Sequence, residues 1–205
     1  MPLPPGLDVI EDAIALLTGE TWAIVDATKH VPARPGLYAI YGDEMAWRDL
    51  GLEPRTEQPL YVGKAEDSLV TRELNGHFAA NANIPPRTGS STVRRSFAAL
   101  LRDALDLRAV PRNLNRPERF TNYALAEDGD ARLNGWMRDR LSLAVWPAPA
   151  PAAREWVLGD VETAVIQRFT PPINISKNPR KLARLSHARV TMAAEASKWR
   201  AETAS

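Results

Sequence analysis

Residues 36–42 (GLYAIYG) and residues 59–65 (PLYVGKA) are the two stretches that decide the fold. Both are rich in aromatic and β-branched residues and are bounded by glycine and proline, which is typical of short strands. The polar segment between them, residues 43–58, contains a glycine and a proline and can return the chain as a hairpin with an enlarged loop. This pairing predicts that Tyr38 and Tyr61 lie near one another.

Four polar residues further along the chain favour a functional interpretation, since two tyrosines alone are more simply explained by strand packing. Arg72 and His77 fall on a helix predicted to follow the second run. Glu162 lies beside the apolar stripe of another predicted helix, residues 152–169, and Asn174 follows the proline pair that ends it. A carboxylate among apolar neighbours needs a partner, either an arginine or a divalent cation, because burying it unpaired is costly.

This constellation resembles the GIY-YIG nuclease family. Residues 36–38 (GLY) stand for the first motif and residues 61–63 (YVG) for the second. Leu37 and Val62 replace isoleucine, which are mild apolar exchanges. The separated parts of the resemblance are together more specific than either tripeptide alone.

The resemblance implies a site with a single metal ion. Glu162 would hold one Mg²⁺ or Mn²⁺, in keeping with the way magnesium binds one carboxylate and retains several waters. Tyr38 would act as the general base and Tyr61 as the positioning residue. Arg72 would neutralise the charge that develops on the phosphate, and Asn174 would brace the site.

Two further residues have alternative roles. Lys64, three residues after Tyr61, is placed either to lower the pKa of a tyrosine or to contact phosphate itself. Family members often carry a histidine or tyrosine four residues after the arginine, but Gly76 holds that position here and His77 comes five residues after Arg72. A regular helix separates those two side chains by about 140°, so His77 is either catalytic or a core histidine.

The helix predicted after residue 91 carries a basic surface. Its apolar stripe is expected to face the core, with Arg94, Arg95 and Arg102 on the other faces. Arginine can hold phosphate oxygens in a bidentate fork, so we expect these three residues to bind nucleic acid. The alternative is a solvated charged face, because acidic residues interrupt the basic run.

Composition limits the class of protein. The chain has 205 residues, a net charge of +1 and no cysteine, which excludes disulfides and thiolate zinc sites and requires any nucleic-acid surface to come from local clustering of charge. No run approaches the roughly 20 apolar residues that span a bilayer, and the N-terminus lacks the pattern of a signal peptide. We therefore expect a cytoplasmic protein without a membrane partner, with its oligomeric state left open.

The sequence predicts an α/β domain of the α+β type, in which a small, mainly antiparallel sheet is flanked by helices, with helical additions at both ends. Residues 120–126 and 142–146 are expected to add strands to this sheet. We expect an N-terminal accessory segment (1–34), a GIY-YIG-like nuclease domain with inserted helices (35–176) and a basic C-terminal helical tail (177–205).

The function that the resemblance implies is a metal-dependent endonuclease that cuts DNA, either duplex or branched. One alternative is a nucleic-acid-binding module that keeps the fold without turnover. Another is a partner-binding protein in which the two tyrosines and Glu162 are core and ion-pair residues. Binding of divalent metal and of nucleic acid distinguishes these hypotheses.

Overall fold

The two tyrosine-bearing runs form neighbouring strands of one antiparallel sheet. In the computed structural model, β2 (Gly36–Gly42) pairs with β3 (Tyr61–Ala65) so that Tyr38 lies opposite Gly63. The predicted hairpin is therefore confirmed. The structure describes residues 3–70, 88–113, 115–150 and 155–199.

Two more strands complete this sheet. β6 (Leu141–Pro147) pairs along the whole of β2, and β1 (Trp22–Ala23) pairs with β6, which gives the order β1-β6-β2-β3 with every neighbour antiparallel. All residues of β2, in the middle of the sheet, are buried. The predicted α+β class with a small antiparallel sheet is confirmed, as is the strand predicted over residues 142–146.

Six helices accompany the sheet in the described ranges. They are α1 (Leu7–Leu17), α2 (Glu44–Asp49), α3 (Thr92–Leu100), α4 (Gly129–Arg140), α5 (Leu158–Phe169) and α6 (Ala183–Lys198). One face of the sheet, here the α5 face, packs Leu37 and Val62 against α1 and α5. The other, the α3 face, packs Tyr38 and Ile40 against α3, α4 and α6. None of these helices is long and apolar enough to cross a membrane.

The strand predicted over residues 120–126 does not join this sheet. Its strand portion, β5 (Ala124–Leu125), pairs with β4 (Ala109–Val110) in a separate two-stranded sheet. The alternating pattern has another cause, because Tyr123 is fully buried and its hydroxyl donates to the carbonyl oxygen of Arg95 (2.6 Å). The side chains here are buried by packing on α3 and not by pairing with the main sheet.

Two further elements differ from the prediction. The loop predicted over residues 43–58 contains α2, because the Asp43 carboxylate accepts a hydrogen bond from the backbone N–H of Ala46 (2.6 Å) and caps the helix. So short a helix has too few turns for an apolar period to reveal it. The helix predicted from residue 152 begins at Leu158, as α5.

The segment predicted as a basic tail contributes to the core. α6 buries Leu185, Met192 and Ala196 in the same cluster as α3. Glu195 of α6 accepts a hydrogen bond from Arg102, just after α3 (3.1 Å). The predicted domain boundary before this segment stays a prediction.

Gly63 allows the ring of Tyr38 to lie across the backbone of β3. The two residues are opposite each other in the register. A Cβ atom at position 63 would overlap the Tyr38 phenol and would lie 2.8 Å from Cε1 of Tyr61. The interior is close-packed and has no room for such an atom. A glycine is therefore required here if both tyrosine rings are to pack on the α3 face.

The side chain of Asn174 occupies the outer edge of β3. Its Oδ1 accepts a hydrogen bond from the backbone N–H of Val62 (2.9 Å), and its Nδ2 donates to the carbonyl oxygen of Val62 (2.8 Å). The backbone N–H of Ile173 also donates to the carbonyl oxygen of Leu60 (2.9 Å). The segment after α5 thus satisfies backbone groups that an edge strand otherwise leaves unpaired.

We expect Gly63→Ala to destabilise the protein by about 1–3 kcal/mol, because the added methyl group must displace one of the two tyrosine rings. Gly135→Ala is the matched control, since nothing lies within 4 Å of a Cβ atom there and alanine favours helix α4. Urea unfolding of both variants and the wild type measures the difference. An unchanged free energy of unfolding in Gly63→Ala would contradict this packing.

We expect Asn174→Asp to lower the free energy of unfolding by about 1–3 kcal/mol, because an oxygen then replaces the buried amide donor and faces the Val62 carbonyl oxygen. Asn115→Asp makes the same chemical change at an exposed residue and should alter stability by less than about 0.5 kcal/mol. Thermal and urea unfolding compare the two variants. Equal stability of both would show that Asn174 does not brace β3.

Candidate active site

Tyr38 and Tyr61 form a pair on the α3 face of the sheet. They are diagonal neighbours, because Tyr38 lies opposite Gly63 and Tyr61 lies opposite Ile40. Their ring centroids are 6.0 Å apart and the rings are tilted by 36°, so the predicted proximity is confirmed. Tyr38 is fully buried, whereas Tyr61 is partly exposed and is the ring that solvent reaches.

Glu162 lies in α5 with its carboxylate against a cation. Its Oε2 accepts a hydrogen bond from Nζ of Lys177 (2.6 Å), and the Glu162 side chain is only 12 % exposed. The same ammonium group donates to the carbonyl oxygen of Gly159 (3.2 Å), three residues earlier in the helix. A lysine, and not the predicted arginine, is therefore the protein's own partner for this carboxylate. The predicted divalent cation stays a prediction.

Lys177 is a residue of this site that sequence reasoning missed. It lies 15 residues after Glu162 in the loop that follows Asn174, where no periodic pattern connects the two side chains. Its backbone is in the left-handed region, with a φ of 63°, which few residues other than glycine adopt. Neither feature is visible in the sequence, which places Lys177 at the start of the predicted basic tail.

Lys64 lies on the side of β3 that faces α5, and not on the side of the tyrosines. Successive residues of a strand point to opposite faces, so Lys64 and Tyr61 lie on different sides of β3. Nζ of Lys64 is 3.3 Å from the position that a Cβ atom of Gly159 would take, and it forms an ion pair with Glu66. This placement does not support the predicted influence of Lys64 on the pKa of a tyrosine. The predicted phosphate contact stays a prediction.

β3 therefore connects three parts of the candidate site. It carries Tyr61 on the α3 face and Lys64 on the α5 face, and its outer edge is bonded to Asn174 through the backbone of Val62. Val62 directly follows Tyr61 in the chain, so Asn174 braces the strand where the tyrosine leaves it. This geometry agrees with the predicted role of Asn174 as a structural support.

Two predicted site residues, Arg72 and His77, lie outside the described residues, in the range 71–87. Most of the helix predicted to carry them falls in the same range. Their predicted contributions to catalysis stay predictions.

Arg94 is buried and interacts with α4. α3 buries seven consecutive residues, from Val93 to Ala99, so it has no solvated face for Arg94 to occupy. The guanidinium donates to the carboxylate (3.1 Å) and to the backbone carbonyl oxygen (3.2 Å) of Asp130. Burial lowers the pKa of Arg94, and the charge of Asp130 opposes that shift. The predicted contact of Arg94 with nucleic acid does not agree with this placement, because a phosphate cannot reach a side chain without exposed surface.

Arg95 and Arg102 have different surroundings. Arg95 is mostly buried and donates to the carbonyl oxygen of Gly89 (2.8 Å) and to Oγ1 of Thr92 (3.2 Å). Arg102 is partly exposed, and its hydrogen bond with the carboxylate of Glu195 is the main cause that raises its pKa. Glu195 therefore neutralises much of the charge that Arg102 would offer to a phosphate. The predicted nucleic-acid contacts of both arginines stay predictions.

A family model, described as the GIY-YIG catalytic domain, matches residues 44–193, which is more than half of the chain. The matched range contains Tyr61, Glu162 and Asn174. It begins after β2, so Tyr38 lies outside it, and the assignment of Tyr38 to the candidate site depends on the pairing of β2 with β3. No curated protein and no solved structure matched the chain. Because this match covers more than half of the chain, the chain belongs to the GIY-YIG catalytic-domain family.

Proposed function

We propose that this protein is an endonuclease that hydrolyses phosphodiester bonds of DNA with the help of a divalent metal ion. Membership of the GIY-YIG catalytic-domain family supports a nuclease. The observation that carries the proposal is the position of Glu162. This carboxylate is nearly buried in α5, which packs on the strand that bears Tyr61, and it already accommodates one cation, the ammonium group of Lys177.

The residues around Glu162 fit a single Mg²⁺ or Mn²⁺ ion. Magnesium is usually held by one or two carboxylates and keeps several waters. The described part of the chain has no group of three or more histidine and acidic residues that would suit a fully protein-ligated metal. Glu162 is the residue that would hold the ion. When bound, such an ion supplies positive charge to the phosphate oxygens and makes water a stronger nucleophile.

The tyrosine pair is proposed to handle the proton of the attacking water. Tyr38 is proposed as the general base; because it is fully buried, it takes the proton through Tyr61, the ring that solvent reaches and that orients the water. A phenol has a reference pKa of about 10, so little phenolate is present near pH 7. Only the phenolate accepts a proton, and nearby positive charge would be needed to stabilise it. Arg72 is proposed to place its charge at the phosphate, where fixed donors are most effective.

Lys64 and Lys177 are proposed to attract the DNA backbone to the edge of the sheet that β3 forms. Their ammonium groups lie 3.3 Å and 4.0 Å from the position that a Cβ atom of Gly159 would take. Gly159 is in the first turn of α5, where the helix dipole also favours a negative charge. The two lysines therefore place two cations at the start of the helix that carries Glu162, each of them also paired with a carboxylate of the protein.

A nucleic-acid-binding module without turnover is the second candidate function. The ion pair between Glu162 and Lys177 favours it, because the ammonium group satisfies this carboxylate without a metal. Both candidates bind DNA, and only the endonuclease cuts it.

Cleavage of supercoiled plasmid and of branched duplexes with Mg²⁺ or Mn²⁺ tests the proposal. We expect the wild type to nick DNA, and Glu162→Gln and Tyr38→Phe to be slower by at least about a hundredfold, since loss of a charge-stabilising group or of a general base has effects of this size. Asp160→Asn is the matched control, because it removes an exposed carboxylate from the same helix. It should cut at the wild-type rate, and circular dichroism checks that every variant is folded.

The outcomes separate the candidate functions. Metal-dependent nicking that is lost in folded Glu162→Gln supports the endonuclease. A wild type that binds these DNAs without cutting them overturns the endonuclease in favour of the binding module. If the wild type neither binds nor cuts, both candidates fail, and the tyrosines and Glu162 are structural residues.

A further inference from the structure

Two arginines from different elements meet at Gly89, and the charge of a third acts on one of them. Arg95 of α3 donates to the carbonyl oxygen of Gly89 (2.8 Å), and the side chain of Arg112, beyond β4, packs on Gly89 with its Cδ 3.0 Å from the position of a Cβ atom there. Arg189 of α6 is the third. Burial, and then the like charges of Arg189 and Arg112, lower the pKa of the Arg95 guanidinium to about 10. We call these three residues the arginine cluster.

Arg95 is more than nine-tenths buried, and its hydrogen bonding is incomplete. It is 7 % exposed, and its Nε is buried without a hydrogen-bond partner among the described residues. Buried polar groups of native proteins nearly always have a partner, so the positive charge of Arg95 is only partly compensated. Because Nε has no exposed surface, an external anion would act on Arg95 through its charge and not through a hydrogen bond to this atom.

Among the described residues, no carboxylate is among the charges that act on Arg95. Those charges are Arg189, Arg112 and Tyr123. Burial raises the pKa of Tyr123 to about 12, which keeps it neutral near pH 7, and the charges of Arg189 and Arg95 oppose that shift. Other arginines nearby differ in this respect: Arg94 is paired with Asp130, and Arg102 with Glu195. The cluster therefore holds like charges whose repulsion a bound anion would relieve.

A surface cleft of about 610 Å³ is lined by one member of this cluster, Arg112. Its lining consists mainly of exposed hydrogen-bond donors with a single acid, and includes Arg112, Arg116, Arg119, Asn113, Asn122 and Glu118. Arginine binds phosphate oxygens through two parallel N–H donors, which makes such a lining complementary to phosphate groups.

We propose that this cleft binds the phosphate backbone of nucleic acid, with the charge of the arginine cluster adding to the attraction, as an anchoring site formed by elements other than those that carry the tyrosine pair and Glu162. The identity of the polymer rests on the proposed function. Tyr123, the aromatic residue at the cluster, is fully buried and cannot stack on a base. The site therefore offers contacts to the backbone, which position a duplex without reading its sequence.

Fluorescence anisotropy of a labelled duplex, without metal so that no DNA is cut, tests this inference at several salt concentrations. The variant, which we call the cluster variant, combines Arg112→Gln of the arginine cluster with Arg116→Gln and Arg119→Gln of the cleft, all of them exposed residues. We expect its Kd to rise about tenfold or more, and the slope of log K against log salt to become shallower by about 0.9 for each phosphate that the variant no longer neutralises. Duplexes of unrelated sequence should lose affinity equally.

The matched control combines Arg48→Gln, Arg55→Gln and Arg168→Gln, three exposed arginines of other segments. It changes the net charge by the same amount, so a general loss of positive charge would weaken both variants alike. We expect the control to bind DNA within about twofold of the wild type. Equal losses in both variants, or none in the cluster variant, overturn the inference.

Two further measurements identify what the site binds and separate this inference from the proposed function. Inorganic phosphate that stabilises the wild type but not the cluster variant against heat, with DNA affinity equal in both, would assign the site to free phosphate and overturn the inference.

Plasmid nicking with metal is measured in parallel. A wild type that binds through the cluster and never cuts refutes the endonuclease alone. A wild type that cuts, with unchanged DNA affinity in the cluster variant, refutes the anchoring site alone.

Discussion

The contact between the Tyr38 ring and the backbone of Gly63 is the constraint on which the candidate site depends. Because a side chain at position 63 would overlap the phenol, only glycine lets β2 and β3 keep their register with both tyrosines on one face. The same register turns Val62 and Lys64 to the opposite face, where α5 packs. One short strand thus carries Tyr61 of the proposed proton-handling pair on one face and Lys64, which is proposed to attract DNA, on the other.

The segment after α5 fixes the helix to that strand. Asn174 pairs with both backbone groups of Val62, Lys177 holds the Glu162 carboxylate, and Asn178 donates to the carbonyl oxygens of Pro171 (2.7 Å) and Asn174 (3.2 Å). A carboxylate held in this way has a fixed position, and fixed charges are those that contribute most to catalysis. The ion pair with Lys177 also means that any metal at Glu162 must replace an ammonium group.

The strands and their tyrosines could be predicted because a short apolar run bounded by glycine and proline is typical of a strand that is buried on both faces. The pattern failed at residues 120–126, where α3 and not the sheet buries Tyr123. It failed again at Arg94, which the helical period places on a solvated face, because α4 brings Asp130 to it from 36 residues away. Lys177 could likewise not be predicted as the partner of Glu162, because it comes from a loop whose backbone conformation the sequence does not reveal. Local periodicity predicts which helices and strands form. It does not predict which side chains meet between them, because those contacts depend on tertiary packing.

Binding of Mn²⁺ tests most directly whether Glu162 is a metal ligand. Electron paramagnetic resonance of free Mn²⁺ during a titration counts the ions bound by wild type, Glu162→Gln and Asp160→Asn, without reference to cleavage. We expect one ion per chain in the wild type and in Asp160→Asn, and an affinity lower by at least about tenfold in Glu162→Gln, because loss of a ligand should cost no less than loss of a supporting residue. Equal binding by all three proteins, or no binding by the wild type, would contradict a metal site at Glu162.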